Sequence, residues 1–117
     1  MGQEQSVEAM EMFFEEYTKN SNKFPSGSSR DNNIWGKSIY KNNELTEIVV
    51  LYNQFVKIMK NIGFPDTSSL IKALKEKSFI KCEQGKNYSR RDVGNIKKTK
   101  VIVIDVLEVK GGADYEN

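Results

Sequence analysis

Residues 51–77, LYNQFVKIMKNIGFPDTSSLIKALKEK, decide the fold. Leu51, Phe55, Ile58, Met59 and Ile62 stand at i, i+4, i+7, i+8 and i+11, which is one face of a helix and a pattern no strand can use. The spacing predicts a helix starting near Tyr52. Gly63 ends it as a left-handed cap, and Pro65 forbids immediate continuation. Asp66 or Thr67 then caps a second helix that runs to about Lys77. In it Leu70, Ile71 and Leu74 face inward while Lys72, Lys75 and Glu76 face out. Two amphipathic helices joined by a short turn containing Gly form the helix-turn-helix signature.

Downstream, SFIKC reads as a strand, Glu83-Gln84-Gly85-Lys86 as a turn, and NYSRRDV as a second extended piece closed by Gly94-Asn95. TKVIVIDVL, residues 99–107, is the most strongly β-branched run and long enough to be largely buried. Upstream, IWGKSIY and LTEIVVL flank the polar turn Lys41-Asn42-Asn43-Glu44 as a hairpin, with Gly36 weakening its first strand. Before that lies NSNKFPSGSSRDNN, a polar connecting loop. Val7, Met10, Phe14 and Tyr17, with Phe13 beside them, mark an amphipathic helix over 6–19, with Ser6 as its cap and glutamates on its outer face. The resulting expectation is an α+β winged helix: a helix-turn-helix with a basic β-hairpin wing, preceded by an N-terminal helix and a short hairpin. Its divisions are an N-terminal helix at 1–20, a polar loop at 21–33, the winged-helix domain at 34–107 and a flexible tail at 108–117.

The 117 residues fit one domain able to bury a core without staples. The single Cys82 cannot form an internal disulfide, and no run of about 18 apolar residues or signal pattern occurs, so a cytoplasmic location and no membrane are expected. The net charge of +2 conceals an asymmetry. Residues 1–20 sum to −4 and 101–117 to −3, whereas 72–100 set ten lysines and arginines against Glu76, Glu83 and Asp92 for a net +7. Such concentrated charge raises the local concentration of polyanions. Taken alone, it is equally compatible with a solvated basic face.

Catalytic chemistry finds little support. There are no histidines, which removes the commonest general base and every Cys/His zinc pattern. Cys82 lacks a partner and reads as a core residue. Gly85-Lys86 and Gly111-Gly112 lack the strand–loop–helix context of a phosphate loop. No cofactor or metal is expected. Binding remains. The helix after Asp66, at about 12 residues and roughly 18 Å, suits a major groove about 12 Å across. Ser68, Ser69, Lys72 and Lys75 line its outer face. On the hairpin, Lys86, Tyr88, Arg90, Arg91, Lys97, Lys98 and Lys100 form a basic set able to follow a DNA backbone. Each residue alone has an ordinary structural reading as well: serines cap helices, lysines keep a surface soluble, Tyr88 packs against a sheet. Trp35 beside the first hairpin reads as a cover for a small core.

These residues together resemble the C-terminal domain of AAA+ replicative helicases carried by staphylococcal cassette chromosomes, pathogenicity islands and related phages. The resemblance rests on Ile34-Trp35-Gly36, the strand leading into the helix at Tyr52, Gly63-Phe64 after it, Leu74-Lys75-Glu76-Lys77, Gly85-Lys86-Asn87 before a basic strand, and the closing apolar strand, and covers about residues 7–106. Trp35, where a smaller aromatic is usual, and Ile96 after the wing turn depart from the pattern. The resemblance implies a non-catalytic DNA-binding winged helix of a mobile-element replication helicase or initiator, with the remainder of that protein as partner and the ATPase upstream. The competing expectation is a protein-interaction module that docks onto the motor domain or another partner through the acidic first helix or the Trp35 hairpin. A free-standing repressor would need a dimerisation helix, for which only the short first helix is available.

Overall fold

Segments with apolar periodicity of 3.6 alternate along the chain with segments of period 2, and the helices and sheet they form share a core. A computed structural model describes residues 2–26 and 33–114. Its elements are α1 (Gly2–Lys19), β1 (Gly36–Lys41), β2 (Glu44–Leu51), α2 (Tyr52–Asn61), α3 (Thr67–Glu76), β3 (Ile80–Lys81), β4 (Ser89–Val93), β5 (Ile96–Asp105) and α4 (Val106–Asp114). The sheet is antiparallel in the order β1-β2-β5-β3, and β4 also pairs with β5. This is the expected α+β winged-helix architecture, in which α2 and α3 are the helix-turn-helix and β4–β5 the wing.

Strand alternation gives the sheet two apolar faces. Ile48, Val50, Ile80, Ile102 and Ile104 join the helices in the main core with Met10, Phe13, Phe55, Met59 and Leu74. Val49, Val93, Val101 and Val103 form a smaller cluster with Ile34 on the other face. Burial of side chains such as Phe13 and Phe55 stabilises the fold by about 1.5–3 kcal/mol each.

Local chemistry sets the boundaries. Asn42 (φ 53°) and Asn43 (φ 64°) make a two-residue turn with both centres left-handed, the geometry that matches hairpin twist. Gly36 is required rather than merely tolerated in β1, since a Cβ there would lie 1.9 Å from the Val49 carbonyl oxygen. Both helices of the helix-turn-helix end in Schellman motifs. Phe64 N donates to Met59 O at 2.8 Å around Gly63 (φ 110°), and Phe79 N donates to Leu74 O at 3.0 Å around Ser78 (φ 63°).

Several expectations need correction. α1 begins at Gly2, so Ser6 is not its cap: it lies within the helix, fully buried, and its Oγ has no partner among the described residues. The polar loop contains a 3-10 turn at Ser21–Lys23, and Phe24 is a core residue at 3% exposure, edge-on to Phe13 and Trp35. Ser38 Oγ donates to Phe24 O at 2.8 Å and lies 2.6 Å from Tyr17 Oη, pinning α1, the loop and β1 together. The rest of that loop, 27–32, lies outside the described residues. The last strand stops at Asp105, and α4 follows it into the segment 108–117 expected as a flexible tail, with Val106 and, from that segment, Val109 in the core. Residues 115–117 lie outside the described residues.

Candidate nucleic-acid interface

The basic elements meet where α3 approaches the base of the wing. Lys75, in the last turn of α3, donates from Nζ to the Lys86 carbonyl at 2.8 Å and lies 3.4 Å from Asn87 Oδ1. The adjoining loop carries Tyr88 into a set of cations. Lys100 Nζ lies 4.5 Å from the Tyr88 ring centre and 4.8 Å from that of Tyr52, Arg90 stands 5.5 Å from Tyr88, and Lys86 Nζ stands 5.7 Å from it. Tyr52 and Tyr88 meet edge to face at 6.4 Å.

The sheet register explains this convergence. Arg90 and Lys100 are direct cross-strand partners, a repulsive pairing for like charges. The ring faces of the two tyrosines supply negative potential that offsets it. Partial burial pushes the Tyr88 phenol up, but Lys86 and Arg90 outweigh that and hold it below its ordinary value. Lys75, Lys86, Arg90 and Lys100 thus form a chain of contacts from α3 to the wing strands, with Lys72 exposed one turn earlier on α3.

Other expected site residues lie elsewhere. Arg91 faces the opposite side of the sheet, because neighbours along a strand alternate. It sits 3.6 Å from Glu47, which also binds Lys81, and Lys81 lies 3.9 Å from Asp105. Ser69 is engaged in the α3 cap: its amide and hydroxyl both donate to Asp66, at 3.3 Å and 2.9 Å. Lys97 and Lys98 occupy the wing near its tip. Lys97 is 3.8 Å from Asp92, and Asp92 accepts the Lys98 amide at 2.8 Å, which holds that carboxyl below the usual range. Ser68 is exposed at the start of α3, where it lines a shallow cleft with Tyr52, Val56, Lys60, Pro65, Asp66 and Thr67.

Tyr52, Lys57 and Lys60 were not singled out from the sequence. Tyr52 also lines a larger cleft of about 630 Å³ that reaches Lys57 and Lys100. The spacing of Tyr52, Val56 and Lys60, four residues apart on the outer side of α2, was the available signal. Trp35 packs edge-on to Phe24 against the core, as read from sequence. Cys82 is half-buried, and its burial pushes the thiol up, away from nucleophilic character. Among the described residues no cluster of side chains suits a metal ion, and no helix is long and apolar enough to cross a membrane.

A family model described as the Cch helix turn helix domain matches residues 5–109. The chain belongs to this family. A solved structure titled "SCCmec type IV Cch - active helicase" shares the fold with a TM-score of 0.63 at 20% identity, over 95% of this chain. The chain spans 20% of that helicase's length. No curated protein matches it. The resemblance to helicases of staphylococcal cassette chromosomes therefore holds, and α2–α3 is the helix-turn-helix of a Cch domain.

Proposed function

We propose that this Cch helix-turn-helix domain binds DNA for a mobile-element replication helicase, contacting phosphates with the face formed by α3 and the β4–β5 wing. The observation that carries this reading is the chain of contacts linking Lys75, Lys86, Arg90 and Lys100 around Tyr88. Cations held on one surface by two rings and a helix need little ordering when they meet a phosphate backbone, and each neutralised phosphate releases condensed counterions. Lys72 and Ser68 extend the contact surface along α3. ATP-driven unwinding would belong to other parts of the helicase, whose length is about five times that matched by this chain.

The test is a triple variant, Lys86→Glu, Arg90→Glu and Lys100→Glu, titrated against a fluorescent oligonucleotide duplex with the fold followed by circular dichroism. Loss of binding with an intact fold is the expected result. A folded variant that binds as tightly as the wild type would refute the proposal.

A further inference from the structure

We infer that the face of α2 beside the wing accepts unpaired nucleotides, so that the DNA engaged there is single-stranded. This rests on the DNA-binding reading and narrows it. Two clefts, of about 320 and 630 Å³, adjoin along α2, and Tyr52 lines both. A duplex presents a convex phosphate backbone with its bases stacked inside, and has no flat apolar group to place in such hollows. An unpaired strand has one per nucleotide. The larger cleft carries three kinds of group that a nucleotide requires. Tyr52 supplies an aromatic wall and Ile96, 47% exposed on a wing strand, an apolar one. Asn53 and Gln54 present amides that donate to and accept from base edges. Lys57 and Lys100 stand at the same cleft for the phosphates, and Lys60 continues the basic line into the smaller cleft toward Ser68. Aromatic stacking tolerates any base, so the site would show little sequence preference.

The experiment uses the full chain, with a short single strand carrying a fluorescent adenine analogue and the duplex made from it. Binding should change the analogue's emission in the single strand. Tyr52→Leu, which keeps bulk and removes the ring, should weaken single-strand binding about tenfold and duplex binding by less, since the duplex loses only the ring beneath Lys100. Tyr52→Phe should retain both. Asn53→Ala with Gln54→Ala, at solvent-accessible positions, provides an independent variant should Tyr52→Leu fail to fold; it should also weaken the single strand selectively. Tight duplex binding with no single-strand binding, or equal losses for both, overturns this inference while leaving the DNA-binding reading in place. Binding to neither overturns both.

Discussion

Arg90 and Arg91 are adjacent in sequence and equal in charge, yet the structure sends them to opposite faces of the sheet, so their replacement should have opposite signatures. Arg90 stands over Tyr88 within the proposed DNA-binding face, whereas Arg91 is held 3.6 Å from Glu47 on the far side. If Arg90 neutralises one phosphate, the counterion relation gives affinity a dependence near the −0.9 power of salt for that contact, which is worth about eightfold at 0.1 M salt. Arg90→Gln should therefore weaken DNA binding by about eightfold at 0.1 M and make the slope of log affinity against log salt about 0.9 less steep. Arg91→Gln should leave affinity and slope unchanged. It should instead remove a half-exposed ion pair, for about 0.2–1 kcal/mol of stability. Fluorescence anisotropy over a salt series, together with thermal melting of each variant, separates the two. Equal loss of affinity from both variants would refute the assignment of faces.

The Tyr88 phenol should ionise below the ordinary tyrosine value in an ultraviolet titration, and that early component should vanish in Tyr88→Phe. Because its folded value is depressed, the linked stabilisation is present above its ordinary value of about 10 and lost as pH falls through the folded value; DNA that neutralises Lys86 and Arg90 should move it back up. Gly63→Ala should destabilise the domain by about 1–2 kcal/mol or more, since no alanine rests easily at φ 110°. Ser78→Gly, relieving a left-handed serine but loosening the unfolded chain, should fall between neutral and about 1 kcal/mol stabilising in denaturant unfolding. Phe24→Ala should cost about 3–5 kcal/mol, measured the same way, because this loop residue lies in the core.

Elements specified by local periodicity were legible in the sequence; those set by a single residue or by distant partners were less so. The stripe through Phe55, Ile58 and Met59 and the Gly63 cap located α2 and the turn after it, since both signals act within a few residues. The end of β5 was misplaced because Val106 and Leu107 continue an apolar β-branched run. Asp105 overrides that run: its carboxylate accepts the Glu108 amide at 3.2 Å, an N-cap that starts α4 and that the Asp-Val-Leu-Glu spacing was able to reveal. The first turns of α4 form where Val106 and Val109 bury against the core, a tertiary gain that propensity alone does not register. At the site, the sequence reading set Arg90 and Arg91 in one basic group, although strand alternation sends neighbours to opposite faces. Which face turned toward α3 depended on the pairing of β4 with β5. The Lys75 bond to the Lys86 carbonyl, between residues 11 apart, had no sequence signal at all.

The most direct test of a shared cationic surface is the salt dependence of duplex DNA binding by the wild-type chain and by a variant in which Lys75, Lys86, Arg90 and Lys100 are all changed to Gln. With these four and Lys72 each neutralising a phosphate, the wild type should show a slope of log affinity against log salt of about −4 to −5, falling to about −1 in the variant. Equal slopes for the two proteins, or wild-type binding indifferent to salt, would contradict the account.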